Sequence, residues 1–234
     1  MERNDFSRKI RAAWSFFKDR MQLVRVVSSL VPLARDEAFR RLVLEPEASY
    51  RAIYLLGLSR AHYNLLLSDY AYLQFSWASP GAWRLAYYPN PWISGVPSAE
   101  EALGEWEELE KNGLLANEDV DQLITDLPYL ASVPPIRFEY AVDQYREIDH
   151  PAAHMHMGQH GENRWPFARL LDPLTFSMVI TKLYYPALWN PQSRFVDATV
   201  QNCLEAALVE ALRTPGRVHQ FSEAERCTIH FTAS

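Results

Sequence analysis

Apolar residues recur at helical intervals through the opening of the chain: Phe6, Ile10, Trp14, Phe17, Met21 and Val24. Steps of three and four put them on one stripe, which predicts an amphipathic helix within Asp5 to Leu30, with the intervening arginines on its wet side. A second helix is expected from Arg35 to Val43, ending before Pro46. The period then changes. "YNLLLSDYAYLQFSW" (Tyr63 to Trp77) and "AWRLAYYPNPW" are dense in aromatic and aliphatic residues, with turn signals at Ser68-Asp69 and Pro80-Gly81. They predict a meander of antiparallel strands, closed by Pro89 and Pro91 because proline cannot donate to a ladder.

Helical spacing returns at Leu103, Trp106 and Leu109, where Ser98 with Glu101 reads as a capping box and Asn112-Gly113 as a stop. A short helix is expected from Asn117 to Leu127. "IRFEYAVDQY" then alternates strictly: Ile136, Phe138, Tyr140 and Val142 fall on one face, and Arg137, Glu139, Ala141 and Asp143 on the other. That is the pattern of a half-buried strand. Asp172-Pro173 and Asn190-Pro191 each read as a cap followed by proline at the first helical position. They predict two late helices, the second carrying Val196, Val200, Cys203, Leu204 and Leu208 up to Thr214-Pro215-Gly216. "CTIHFTAS" reads as a final strand. The sum is one α+β domain over residues 1–234: an antiparallel sheet, made of a meander plus a His-bearing hairpin, packed against N-terminal, middle and C-terminal helices. The helices are expected at one side and both ends of the sheet, with the N-terminal helical segment (about 1–45) packed on the body.

Composition narrows the class. The 234 residues can bury a substantial core, and 48% hydrophobic with 22% charged content is ordinary for a globular chain. A net charge of −6 argues against charge-driven coating of nucleic acid, while leaving room for a local basic groove. Cys203 and Cys227 form no metal or disulfide pattern and read as free thiols. With no hydrophobic signal core at the N-terminus and no apolar run near the ~20 residues of a membrane span, a cytoplasmic protein is expected.

The unusual chemistry is in "HPAAHMHMGQHGENRWPF" (His150 to Phe167), which holds four of the seven histidines. In "AAHMHMG" the residues alternate, so a strand puts His154 and His156 on one side, here expected to face solvent, and Met155 and Met157 on the other. Same-face neighbours on a strand stand roughly 6.5–7 Å apart, close enough for two imidazoles to converge on one ion or one phosphate. Three readings fit the pair. In one, His154 and His156 bind a divalent transition metal, with a third ligand from His150, His160, Glu162 or a neighbouring strand. In another they act as general acid and base on a phosphodiester, with Arg164 and Glu139 assisting and Trp165, Arg137 and His160 contacting substrate. In the third they are structural or bind a partner. A short loop, Arg146 to Pro151, would let the Arg137–Glu139–Asp143 face pair beside the histidines. His62 and His219 stand alone and read as packing or surface residues. Motifs nearby do not complete a known set: Gly158 occupies the third alternate position of a histidine triad. His230-Phe231-Thr232 matches one His-x-Thr strand of the two-histidine phosphoesterases, but His154-Met155-His156 lacks the hydroxyl. No phosphate loop, nucleophile elbow or Cys-His dyad is visible.

"AAHMHMG…GENRWP", followed by "LDPLTFSMVITKLYYPALW" and preceded by "YNLLLSDYAYLQFSW", resembles an uncharacterised bacterial family of domain-of-unknown-function proteins over most of the chain. His-x-His-x-Gly, Arg-Trp-Pro and Tyr-Pro-x-x-Trp carry that resemblance, which implies membership and no particular activity. The hairpin from Ile136 to His156 is also similar to small toxin ribonucleases of toxin–antitoxin pairs. This local likeness implies cleavage of RNA or another nucleic acid within a defence module. The alternative is a non-catalytic subunit that binds a protein partner in such a complex.

Overall fold

The computed structural model describes residues 1–128, 133–159, 164–193, 203–213 and 216–228. Seven strands form one sheet in chain order, each antiparallel to the next: β1 (Val24–Val27), β2 (Leu65–Leu67), β3 (Tyr72–Ser79), β4 (Ala82–Tyr88), β5 (Ile136–Ala141), β6 (Ala153–Met157) and β7 (Trp165–Pro166). Among the described residues nine α-helices accompany it: α1 (Arg3–Ser15), α2 (Glu37–Val43), α3 (Tyr50–Ser59), α4 (Pro97–Lys111), α5 (Asn117–Asp126), α6 (Pro173–Tyr184), α7 (Pro186–Ser193), α8 (Leu204–Arg213) and α9 (Glu223–Thr228). The α+β class follows directly from these elements.

The pleat sorts side chains between two cores. Leu65, Leu67, Leu73, Phe75, Leu85, Phe138 and Met155 project to one face, where Phe6 and Ile10 of α1 and Phe176 and Ile180 of α6 bury them. On the other face Leu66, Tyr72, Ala86 and Tyr88 meet Phe39 of α2 and Tyr50, Ile53 and Tyr54 of α3. Helices therefore cover both faces, rather than one side and the ends as expected. α2 and α3 cover only part of the second face, and beyond them it turns polar.

Several boundaries differ from expectation for identifiable reasons. The first helix ends in a π-helical turn, Phe16–Arg20, and Val24 belongs to β1. A run of β-branched residues there gains more from pairing with β2 than from extending a helix. α4 starts at Pro97 with Val96 at its cap; Ser98 does not cap it, and Glu100 instead accepts from the Gly95 amide at 2.9 Å. Asn190-Pro191 lies inside α7 rather than opening the next helix. Cys227 and Thr228 are helical, not extended. Residues 229–234, with His230, and Val196 and Val200 lie outside the described residues. The Asp172 cap is present as expected, its carboxylate accepting from the Thr175 amide at 2.8 Å.

No element had been expected at α3. Its cap is Ser49, whose hydroxyl accepts from the Ala52 amide at 3.2 Å. Ser49→Ala should cost about 1 kcal/mol in chemical denaturation; an unchanged midpoint would mean that tertiary packing alone holds this helix end. Among the described residues no helix is long and apolar enough to cross a membrane.

Candidate metal centre

The polar part of the second sheet face is built by strand register. Ser76 lies opposite Arg84, Arg84 opposite Glu139, and Glu139 opposite His154. In the next row Gln74, Ala86, Arg137 and His156 stand side by side. The β5–β6 hairpin expected from the short loop is therefore formed, closed by a bridge between Arg146 and His150. His154 and His156 share one side, their ring centroids 4.8 Å apart, while Met155 enters the core beneath.

The expectation that this side faces solvent is wrong. His154 is 0% exposed and His156 3%. The sheet continues past them through β7, the His150 ring packs edge-on against His154 at 4.8 Å, and β5 supplies the charged neighbours Arg137 and Glu139. The rings are buried, but among ionisable groups rather than hydrocarbon.

Hydrogen bonding settles one tautomer. His154 Nδ1 lies 2.8 Å from the Pro151 carbonyl oxygen, which can only accept, so Nδ1 carries the proton and Nε2 presents a lone pair. That Nε2 is buried, has no hydrogen bond, and lies 3.9 Å from Glu139 Oε2. Nδ1 of His156 and Nδ1 of His150 are buried without hydrogen bonds as well. Each unsatisfied buried polar atom costs about 1–3 kcal/mol, a concentration that a domain of marginal stability carries where a ligand completes the site.

Glu139, His154 and His156 each offer a donor atom within 4.8 Å of the others. Zinc-like ions hold nitrogen and oxygen donors at about 2.0–2.2 Å, which places tetrahedral donors roughly 3.4 Å apart. The remaining closure lies within reach of Glu139, the half-exposed member. The candidate third donor is Glu139 of the neighbouring strand β5, one of the sources the sequence left open beside His150, His160 and Glu162. Two-histidine, one-carboxylate sites keep further coordination positions open for water or substrate.

Protonation favours this use. Burial lowers the pKa of His154, and burial followed by the Arg137 charge takes His156 down to about 3. Burial would raise Glu139, but the groups around it, Arg137 first and then Arg84, His156 and His154, together hold the carboxylate below its ordinary value. Near neutrality the site therefore holds neutral imidazoles beside an ionised carboxylate, the forms that ligate metals. A metal-free mechanism needs one imidazolium as acid, and that is the form this environment opposes. The same shifts set the sign of a pH effect. With folded histidine values below the unfolded ~6.5, the unfolded chain binds more protons. Stability is complete above that value and is lost as pH falls toward the folded one. The metal-free chain should show a denaturant midpoint that drops from about pH 7 to about pH 5. His156→Asn should make the drop shallower, and a flat wild-type profile would contradict buried neutral rings.

The other sequence candidates divide between the site and the rest of the molecule. Arg164 is half-buried, just before β7, and its charge acts on His150, His154 and His156. Trp165, a candidate for contacting substrate, pairs with Met155 and packs on the opposite face, against the first core, and so lies away from the histidine side. His160 and Glu162 lie outside the described residues, and His219 is exposed elsewhere. Arg84 was missed. Its signal was present in "AWRLAYY", where it shares the alternation of Ala82 and Ala86, but only the β4–β5 register places it beside Glu139. His62, read as a lone packing residue, faces the same polar surface from the end of α3, its ring 5.1 Å from Phe39.

No curated protein and no solved structure matches this chain. A family model described as an uncharacterized conserved protein (DUF2290) matches residues 22–233, from just before β1 onward, and so includes the whole sheet and the histidine hairpin. On that match the chain belongs to the DUF2290 family.

Proposed function

We propose that this protein is a metal-assisted phosphodiester hydrolase in which Glu139, His154 and His156 hold one divalent ion. The observation that carries the reading is the convergence of those three donors on one sheet face, with the lone pair of His154 Nε2 turned toward the carboxylate. An ion held by these residues would lower the pKa of a water toward ~7, its proton passing to solvent, and so would supply a nucleophile near neutrality. Arg137 and Arg84 weaken cation binding somewhat, because their charges oppose it. They suit the ternary state, in which the phosphoryl group brings compensating negative charge. Attack on phosphorus breaks the P–O ester bond, and the leaving oxygen takes a proton from water. RNA is the first polymer to assay, in keeping with the toxin-ribonuclease likeness of the hairpin. The free thiols of Cys203 and Cys227 fit a reducing cytoplasm, the first buried and the second exposed.

The test is metal analysis of the purified chain, together with turnover of bis(p-nitrophenyl) phosphate after reloading with zinc, manganese or magnesium. One tightly held ion with metal-dependent turnover is the expected result. A folded chain that binds none of these ions overturns the proposal. An ion bound without turnover on this ester or on RNA favours the other reading, a non-catalytic subunit of a bacterial defence complex.

A further inference from the structure

Beside the three donors the second sheet face is hollow. A cavity of about 490 Å³ lies between the polar rows of β3–β5 and the segment leading into α2, within the ~300–1,000 Å³ typical of small-molecule sites. Its floor carries Arg84, Arg137 and Glu139; its roof carries Arg35, Asp36, Phe39 and Arg40. Four arginines against two carboxylates leave this lining positive, in a chain whose net charge is −6.

Two of these arginines lack the partners such groups normally have. Arg137 is 7% exposed, makes no hydrogen bond with any described residue, and has only a long ion pair, 4.0 Å, with Glu139. Arg84 makes no hydrogen bond or ion pair with any described residue, yet its charge reaches both Glu139 and His62. Arg84 is half-buried, so its donors, like those of Arg137, are available to a ligand, and a forked cation of this kind matches phosphate oxygens. Opposite them the roof is apolar at Phe39, Val43 and Leu44. The floor is thus polar and cationic, while the roof mixes charged residues with the hydrocarbon of Phe39, Val43 and Leu44.

We infer that this cavity binds a phosphate ester of mononucleotide size, its phosphate on Arg84 and Arg137 and its flat apolar body beneath α2. The inference rests on the hydrolase reading and names the nucleotide unit that its site receives, AMP standing for the monoester that phosphodiester cleavage releases, because Glu139 belongs to both the cavity floor and the three-donor cluster. The phosphate then lies at the edge of the metal centre, where an activated water can reach it.

Calorimetric titration of the chelator-treated chain with AMP, inorganic phosphate and adenosine tests the inference. AMP should bind, phosphate more weakly, and adenosine not measurably. Arg84→Ala should weaken AMP about tenfold or more, the value of a charge-assisted contact, with native circular dichroism, and Arg84→Lys should restore part of the affinity. An Arg84→Ala chain that binds AMP as the wild type does, or a wild type that ignores AMP, overturns the inference. If AMP binds while no metal does, the anion site stands and the hydrolase reading falls; if metal binds and AMP does not, this inference alone falls. A single-stranded RNA oligomer that binds more weakly than AMP supports the mononucleotide class, and one that binds far more tightly removes it.

Discussion

Replacing His154 and His156 together with alanine is expected to lower divalent-ion affinity by at least ~10³-fold and to take phosphodiester turnover to background. Loss of an outer-shell partner alone typically costs 10–100-fold in metal affinity, and this change removes two of the three proposed donors. The mechanism of the loss can be separated from unfolding. Glu139 is half-exposed, so Glu139→Gln changes one charge with little change in volume. It should retain the native circular dichroism signal while losing about a hundredfold in metal affinity. Native mass spectrometry of each variant, with turnover of bis(p-nitrophenyl) phosphate measured in parallel, decides the matter. Should both variants keep the ion at wild-type affinity, the metal lies elsewhere or the site is purely structural.

Gly57→Ala is expected to destabilise the chain by about 2 kcal/mol, against the direction that helix propensity alone would give. Alanine is favoured over glycine inside a helix by about 1 kcal/mol, and Gly57 lies within α3. A Cβ there, however, would stand 2.1 Å from the Tyr72 hydroxyl oxygen and 2.6 Å from its Cζ. Tyr72 cannot yield: it is fully buried, stacked on Tyr88 at 4.9 Å and on Tyr54 at 5.5 Å. Overpacking of this kind costs typically 1–3 kcal/mol and here has to push α3 off the sheet. Phe39 would also be crowded, at 3.2 Å. Because Phe39 roofs the cavity, AMP affinity should fall along with stability. Thermal and urea denaturation measure the first effect, at roughly 2–4 °C per kcal/mol for a chain of this size. Gly57→Ala/Tyr72→Phe should recover part of the loss by removing the nearest atom. A stabilised Gly57→Ala chain would show that α3 and Tyr72 do not approach as described.

The two periodicities of the chain were enough to place most elements and to pair the chemistry within one hairpin. Strict alternation in "IRFEYAVDQY" and "AAHMHMG" assigns each residue to a face without reference to the rest of the molecule, because successive strand side chains point oppositely. A six-residue loop between two such segments leaves little alternative to an antiparallel turn. From this came the shared side of His154 and His156, the nearness of Glu139 and Arg137, and the core position of Met155. The family resemblance was visible at the same level and holds over residues 22–233.

What lay beyond the reach of local pattern was everything that depends on which surface covers which. Alternation says that two rings share a side but not whether that side is wet. Burial of His154 and His156 follows from a further strand, β7, and from neighbours on β5 and at His150. The arginine floor of the cavity joins residues more than fifty positions apart, Arg84 and Arg137, through a ladder register that no local spacing encodes. Periodicity is a property of neighbours in the chain and so was readable from it. Solvent exposure, tautomer and charge balance are properties of neighbours in space, and they came into view only once the sheet and its helices had closed around them.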